Sequence, residues 1–183
     1  MIENAIKEDI IISGFGGQGV MLLGKIVAQT GMLSGLHVTW IPKYGAEVRG
    51  GTAHCMVKIA NEEIASPLLT EPSILVVMNK PSLLKFESTV RAGGHIIYDS
   101  SLCTEEVKRT DVTVRAIPAT KIANKIGDVK GANMVMLGAM LSACPIVDLK
   151  KVVDALNDIL PVYRHKYIPL NEKALYEGYN YKS

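Results

Sequence analysis

Short apolar runs alternate along the chain with segments whose apolar residues recur every three or four positions. The first pattern is typical of strands buried in a sheet, and the second is typical of amphipathic helices. The predicted strands lie at residues 10–13, 37–41, 52–60, 73–78, 95–98 and 112–117. The predicted helices lie at residues 20–33, 82–90, 119–126, 132–143, 149–160 and 171–179.

The order of these elements predicts the fold class. The first strand, the first helix and the strand at residues 37–41 form a βαβ unit, for which we expect a right-handed crossover. The stretch at 42–65 is an excursion, in which the strand at 52–60 turns at 61–62 into a short partner at 63–65, as in a β-hairpin. We therefore expect an α/β, Rossmann-like three-layer sandwich with a mostly parallel sheet, this β-hairpin excursion and a helical C-terminal third.

The predicted helix at residues 132–143 is apolar nearly all round. A helix of this kind is buried between layers of the protein or under a partner. Asn133, at its start, is interpreted as the N-cap, because an Asn side-chain oxygen accepts hydrogen bonds from the first N–H groups of a helix. The apolar residues are Met134, Leu137 and Leu141 on one side and Val135, Met136 and Met140 on the other.

The composition is that of an ordinary globular protein, since 48% of the 183 residues are hydrophobic and 21% are charged. This length predicts a single domain over residues 1–183. A net charge of +2 with no run of Lys or Arg indicates neither nucleic acid nor a membrane as partner. No apolar segment has the length of a signal peptide or a membrane span, so we expect a cytoplasmic protein.

The three cysteines, Cys55, Cys103 and Cys144, lie far apart in the sequence and form no C-x-x-C pair. An odd number of widely spaced cysteines argues against a disulfide framework, a zinc site or an iron–sulfur cluster held by this chain alone. We expect reduced thiols in or near the core.

A glycine-rich turn follows the first predicted strand directly. Gly14, Gly16 and Gly19 match the pattern G-x-G-x-x-G, and such a turn between a strand and a helix exposes backbone N–H groups to an anionic ligand. The second strand is followed by no acidic residue that would bind the ribose of NAD, and by no Arg for NADP. Two interpretations stay open for the turn, in which Gly17 and Gln18 also lie. Its glycines serve only tight packing, or its backbone faces a phosphate-bearing ligand or a protein partner.

A second polar, glycine-rich segment lies at residues 42–51 and carries Tyr44, Glu47 and Arg49. Such a loop is either a solvated surface or a recognition site, in which Arg49 would pair bidentately with a carboxylate or phosphate. His54, just beyond the loop, is interpreted as a packed residue in preference to a ligand. The sequence shows no recognisable Ser-His-Asp or Cys-His arrangement and no paired carboxylates. It therefore indicates no catalytic site.

Five segments closely resemble the gamma subunit of 2-oxoacid:ferredoxin oxidoreductases, a region that also occurs as a domain within longer chains of this family. The resemblance covers about residues 9–178, nearly the whole chain. The segments are GFGGQGV (14–20), YGAEVRGGTAHC (44–55), MNKPSLLKFE (78–87), IPATKIA (117–123) and ANMVMLGAML (132–141).

The resemblance implies a function for the assembled enzyme. Enzymes of this family oxidatively decarboxylate a 2-oxoacid, transfer the acyl group to coenzyme A and reduce ferredoxin. The resemblance also implies that the alpha and beta subunits bind thiamine diphosphate, and that the beta and ferredoxin-like delta subunits hold iron–sulfur clusters. It therefore implies no cofactor on this chain, which alone would be inactive. The glycine-rich turn and the loop with Tyr44, Glu47 and Arg49 would face the active site, coenzyme A or a partner subunit. In the free chain the loop would be mobile or held by a second copy, as in a homodimer.

The sequence of this loop is most similar to that of the 2-oxoglutarate and branched-chain 2-oxoacid (ketoisovalerate) types of the family. The sequence departs from many relatives at Lys43, where a small residue is usual, and at His54, where Asn is common. The alternative function is an independent Rossmann-type nucleotide-binding protein. The missing acidic residue after the second strand favours the gamma-subunit interpretation.

Overall fold

The elements of the protein follow the predicted order in a computed structural model that describes residues 6–45 and 50–182. The strands are β1 (Lys7–Phe15), β2 (His37–Tyr44), β3 (Thr52–Ala60), β4 (Ile74–Val77), β5 (His95–Asp99) and β6 (Thr113–Ile117). The helices are α1 (Val20–Leu33), α2 (Lys80–Phe86), α3 (Ala119–Lys125), α4 (Ala132–Ala143), α5 (Leu149–Ile159) and α6 (Ile168–Asn180). Two 3₁₀ segments cover Glu87–Thr89 and Val162–Tyr167.

The six strands form one sheet in the order β2-β3-β1-β4-β5-β6. The pairs β1–β4, β4–β5 and β5–β6 are parallel, whereas β3 is antiparallel to both of its neighbours, β1 and β2. The predicted α/β fold with a mostly parallel sheet is therefore confirmed. Although α1 connects β1 to β2, these two strands are not neighbours in the sheet, because β3 lies between them.

The hairpin excursion differs from its predicted form. Residues 63–65 form no strand, and β3 pairs instead with β2, the strand that precedes it in the chain. The physical reason is that β1 and β2 already occupy both edges of β3, so no edge is left for a third partner. β3 pairs with β1 over nine residues, which also explains why β1 is longer than the predicted strand at 10–13.

Two apolar cores lie on the two faces of the sheet and give the predicted three layers. Alternate residues of β1 serve different cores, since Ile10 and Ile12 face one and Ile11 faces the other. The larger core contains residues of α1, α3, α4, α5 and α6. The smaller core contains Leu83 and Phe86 of α2, with Leu69, Val90 and Cys103 from connecting segments.

Helix α4 is the central helix of the larger core. Every residue from Ala132 to Leu141 is buried, so the prediction of a helix buried between layers is confirmed. α6 packs against α4 with almost no space between the backbones. A Cβ atom at Gly138 would overlap the carbonyl oxygen of Leu175, and one at Gly178 would overlap that of Val135. The two glycines are thus required by the close approach of the helices.

Substituting either glycine is expected to destabilise the fold. Because the overlapping atoms belong to backbone, they cannot move aside as a flexible side chain would, and Gly138→Ala and Gly178→Ala should each lower the free energy of unfolding by about 2 kcal/mol or more. Urea unfolding followed by circular dichroism measures this change. The control is Glu177→Ala on the exposed side of α6, which should be nearly neutral. Equal stability of all three variants would contradict the packing described here.

Candidate functional site

The glycine-rich turn lies at the carboxyl end of β1, where the chain passes into α1. Gly17 and Gly19 have φ angles of 102° and 79°, values that side-chain-bearing residues rarely adopt. Among the described residues, apart from Gly17 and its two chain neighbours, no atom lies within 4 Å of the position of a Cβ at Gly17, which is exposed. α1 begins with no side-chain cap and no acidic residue in its first turn. The geometry thus leaves a bare backbone corner at the surface, as an anion-binding or partner-facing turn requires.

The second glycine-rich segment meets this turn directly. The Gly16 N–H donates to the Gly51 carbonyl at 2.9 Å, and the Gly50 N–H donates to the Gly16 carbonyl at 3.4 Å. Tyr44, at the end of β2, is 57% exposed on the same edge. The two segments are therefore one surface. Glu47 and Arg49 lie outside the described residues, so their predicted roles stay predictions.

The Gln18 side chain turns inward and joins the turn to β4. Its Oε1 accepts a hydrogen bond from the Phe15 N–H at 2.6 Å, and its Nε2 donates to the Met78 carbonyl at 2.8 Å. The Asn79 amide nitrogen donates to the same Oε1 at 3.4 Å. A Cβ at Gly14 would lie 2.7 Å from this oxygen, which explains the glycine there. Gln18 thus has a structural role within the turn.

Asn79 extends this network into α2. Its Oδ1 accepts from the Ser82 N–H at 2.9 Å, which caps the first turn of the helix. The Ser82 and Ser13 hydroxyls lie 2.8 Å apart, so the start of α2 is tied to β1 as well as to β4. Both serines are buried, and each hydroxyl has a partner, as buried polar groups require.

The crevice between β1 and β4 is the topological switch point of the sheet. α1 leaves β1 towards the larger core, and α2 leaves β4 towards the smaller one. In open α/β sheets, nucleotides bind in this crevice at the carboxyl ends of the strands. Here the Gln18 amide bridges the crevice from Phe15 to Met78.

Asn133 occupies a different place from the predicted one. The residue at the N-cap position of α4 is Gly131, which has no side chain to cap the helix. The Asn133 Oδ1 accepts only from the N–H of its neighbour Met134, at 3.0 Å. The Asn133 amide nitrogen instead donates to the Gly19 carbonyl at 3.3 Å, and a Cβ at Gly19 would overlap this amide. The N-cap interpretation was wrong because Asn133 lies within the first turn, where its side chain reaches the glycine-rich turn across the core.

A buried carboxylate lies at the ends of β5 and β6. Asp99 is fully buried, and its two oxygens accept hydrogen bonds from the Ser101 N–H and from the Thr120 N–H and hydroxyl. These donors hold the loop after β5 against the first turn of α3. Because the carboxylate oxygens are occupied by these internal donors, Asp99 serves this end of the sheet as a structural residue.

Three basic side chains lie together on the face of the sheet that α2 covers. Lys43 of β2 and His54 of β3 are cross-strand partners, and His54 packs on Phe86 of α2 with ring centroids 5.1 Å apart. The Lys85 Nζ lies 5.1 Å from the same Phe86 ring. Burial, and then the charges of Lys85 and Lys43, lower the pKa of His54. His54 is therefore a packed residue, as predicted, within a cationic patch made of Lys43, His54 and Lys85.

The cysteines are free, buried thiols, which confirms the prediction of reduced thiols in or near the core. Burial raises the pKa of Cys55, Cys103 and Cys144 to about 12 in each case, so all three are protonated at neutral pH and poor nucleophiles. Within residues 6–45 and 50–182, no three His, Cys, Asp or Glu side chains are grouped as metal ligands. In the same part of the chain, no helix is long and apolar enough to cross a membrane.

The family model described as pyruvate ferredoxin/flavodoxin oxidoreductase matches residues 9–181. The chain belongs to this family. The predicted resemblance is therefore confirmed, and it covers all the elements that form the site.

Three similar proteins show the range of the family. The ketoisovalerate oxidoreductase subunit VorA of Methanothermobacter thermautotrophicus is 44% identical over 131 residues, which are 72% of this chain but 27% of VorA. The chain thus spans about a quarter of the first curated relatives it matches. The 2-oxoglutarate synthase subunit KorC of Methanothermobacter marburgensis is 35% identical over 85% of this chain and 88% of KorC. The gamma subunit of a keto/oxoacid ferredoxin oxidoreductase from Geobacter sulfurreducens has the same fold, with a TM-score of 0.79 and 26% identity over 94% of this chain and 96% of that one.

The structure adds site residues that the sequence interpretation missed. Asn79 carried a usable signal, because Asn followed two residues later by Pro is typical of a capped helix start. Asp99 and Thr120 carried no such signal, since they bind each other from 21 residues apart in the sequence. Asn133 was noticed at the start of its helix, but nothing in the sequence indicated its contact with Gly19, 114 residues away.

Removing the Gln18 amide should loosen the turn. Gln18→Ala leaves the Phe15 N–H and the Met78 carbonyl without their partner, so we expect the free energy of unfolding to fall by about 1–3 kcal/mol. Urea unfolding measures the change, and the control is Gln29→Ala on α1, whose side chain makes no hydrogen bond within the described residues. A neutral Gln18→Ala with a large effect on the assembled enzyme would instead make Gln18 a ligand contact.

The lowered pKa of His54 predicts how stability depends on pH. The unfolded chain binds a proton at His54 more readily than the folded chain does, so this residue reduces stability as pH falls below the unfolded pKa of about 6.5. The contribution should be absent above that pH. His54→Asn should therefore flatten the pH dependence of the urea midpoint between about pH 7 and 5. An unchanged pH dependence in this variant would contradict the prediction.

Proposed function

We propose that this chain is the gamma subunit of a thiamine-diphosphate-dependent 2-oxoacid:ferredoxin oxidoreductase. The assembled enzyme would convert a 2-oxoacid to its acyl-coenzyme A and reduce ferredoxin. The substrate class would be that of the 2-oxoglutarate and ketoisovalerate types, because the relatives with these names match most of the chain. Cytoplasmic location is part of the same proposal.

The observation that carries the proposal is the joining of the two glycine-rich segments at one edge. The Gly16–Gly51 pairing places the turn, the end of β2 and the start of β3 on a single polar surface. We expect this surface to face the alpha and beta subunits, and through them coenzyme A. The family match over residues 9–181 supports the same role.

The residues of this chain do not suit the metal cofactors of the family. Cys55 lies in β3, Cys103 follows β5 and Cys144 follows α4, and each thiol is buried and protonated at neutral pH. Iron–sulfur clusters require a convergent set of thiolates. We therefore assign the iron–sulfur clusters to the beta subunit and a ferredoxin-like delta subunit, and the thiamine diphosphate to the alpha and beta subunits.

The geometry weakens the alternative of an independent Rossmann-type nucleotide-binding protein. The crevice that would receive the nucleotide is bridged by Gln18, and β3 separates β2 from β1. An acidic residue at the end of β2 would therefore lie one strand too far from the turn to reach the ribose in the usual way. A melting temperature of the isolated chain raised by NAD would overturn this argument.

The isolated chain is expected to show no oxidoreductase turnover. Activity with 2-oxoglutarate or ketoisovalerate should appear only after alpha and beta subunits are added, measured as reduction of a dye or ferredoxin. The control is the same mixture without this chain. Dye reduction by the purified chain alone would contradict the proposal.

Arg49 is expected to act in assembly and not in folding. If it pairs with a carboxylate or phosphate in the complex, Arg49→Ala should weaken assembly or turnover by about 3–5 kcal/mol, the cost of leaving a buried charge unpaired. The melting temperature of the free subunit should hardly change. Arg91→Ala is the control, since this half-exposed residue pairs with Glu8 near the opposite end of the sheet. A collapsed melting temperature with normal activity per folded complex would make the loop purely structural.

A further inference from the structure

Strand β2 forms one edge of the sheet, and its only strand partner in the described part of the chain is β3. The Gly45 N–H, just after β2, donates to the Thr52 carbonyl at 2.8 Å, so the odd-numbered residues of β2 bond to β3. Because the bonding side alternates along an antiparallel strand, the even-numbered residues direct their N–H and C=O groups outward. These residues are Val38, Trp40, Tyr44 and, with a carbonyl alone, Pro42.

The even-numbered residues also carry apolar and aromatic side chains on the α1 face of this edge. Trp40 is the cross-strand partner of Val57, a residue of the larger core. A Cβ at Gly24 of α1 would lie 3.0 Å from the Trp40 indole nitrogen, so the indole packs closely on the helix. Trp40 is nevertheless 37% exposed, and Tyr44 is 57% exposed. Native proteins rarely leave an apolar strand edge of this length uncovered.

The order of these side chains makes the edge complementary to itself. Two copies of β2 can run antiparallel with Ile41 opposite Ile41. Val38 of each copy then lies opposite Tyr44 of the other. Trp40 likewise lies opposite Pro42. Each aromatic ring thus meets an aliphatic side chain, which is a favourable cross-strand pair. Each outward N–H also faces an outward carbonyl, which gives about six hydrogen bonds between the copies.

We propose that two copies of this chain associate through β2, paired antiparallel about Ile41 into one continuous sheet. Contact of a strand with its own copy has two-fold symmetry, so the association closes at a dimer. On the α2 face of the edge, Lys43 lies opposite Thr39, so no lysine faces a lysine. A second copy supplies the matching order of aromatic and aliphatic residues. The inference concerns this chain alone and does not rest on the proposed function.

The last turn of α1 widens the apolar surface beside the paired strands. A Cβ at Gly31 would lie 3.1 Å from a methyl group of Val38, so this turn lies directly beside the edge. The next two residues, Met32 and Leu33, are 65% and 61% exposed. In the dimer this helix end lies near Tyr44 of the second copy, because Tyr44 is opposite Val38. The contact therefore includes side chains beyond the strand itself.

The mass of the full chain and the emission of its single tryptophan test the association. Analytical ultracentrifugation should show twice the mass of one chain as the concentration rises. The Trp40 emission should shift to shorter wavelength over the same range, because the second copy shields the indole from water. The mass of one chain at all concentrations up to about 1 mM would overturn the proposal. A dimer without a change in the Trp40 emission would also overturn it, since the interface would then lie elsewhere.

A cysteine at the two-fold axis tests the register. Opposite Cα atoms in a non-hydrogen-bonded pair lie about 4.5 Å apart, within the range of about 4.4–6.8 Å that a disulfide spans. Ile41→Cys should therefore form a disulfide-linked dimer with oxidised glutathione. The control is Thr39→Cys, also half-buried, whose counterpart would lie about 13 Å away along the strands. The native thiols are buried and should not cross-link. Any other pattern of cross-links would overturn the pairing about Ile41.

Charges at the paired positions separate loss of contact from loss of folding. In Val38→Lys/Tyr44→Lys each lysine faces a lysine of the second copy, so this variant should remain a monomer. Val38→Glu/Tyr44→Glu should remain a monomer for the same reason. A mixture of the two variants places lysine opposite glutamate and should restore a dimer, which requires that both variants are folded. A dimer of either variant alone, or no dimer in the mixture, would overturn the proposal.

Discussion

The hydrogen bonds of the Gln18 side-chain amide fix the carboxyl end of the sheet. One amide group accepts from Phe15 at the end of β1 and donates to Met78 at the end of β4, across the line where the connections leave to opposite faces. Without it, the Phe15 N–H and the Met78 carbonyl would lose their partner, and the glycine-rich turn would lose its side-chain hydrogen bond to the segment that follows β4. The bare backbone corner at Gly17 depends on this support, because its own residues contribute almost no side chains to packing.

The insertion of β3 is the second constraint. By pairing with both β1 and β2, β3 brings the second glycine-rich segment back against the first, so that Gly16 and Gly51 pair. The same insertion moves β2 away from the position it has in a dinucleotide-binding sheet. The insertion of β3 therefore separates β2 from the usual nucleotide site. It also forms the polar surface that we assign to subunit contact.

The segments that carry the family resemblance converge at this end of the sheet. The turn at 14–20 contacts Gly51 of the 44–55 segment, Met78 of the 78–87 segment and Asn133 of the 132–141 segment. The 117–123 segment contributes Thr120, which binds Asp99 at the neighbouring strands. Residues far apart in the chain thus support one edge, as expected if that edge is where the subunit meets its partners. The cationic patch adds a second feature to the same edge on the opposite side from α1.

The sequence by itself determined the order of the elements, the apolar character of α4, the α/β class and the family, because hydrophobic periodicity and local motifs are properties of neighbouring residues. It placed Asn133 and the partner of β3 wrongly, because both depend on which distant segment occupies a given edge or space. Gln18 lay within a recognised motif, but its inward direction follows from the position of Met78, sixty residues away. The joining of the two glycine-rich segments, the buried Asp99 and the grouping of Lys43, His54 and Lys85 were likewise decided only by the tertiary structure, since strand order and helix placement, not sequence distance, set which side chains meet.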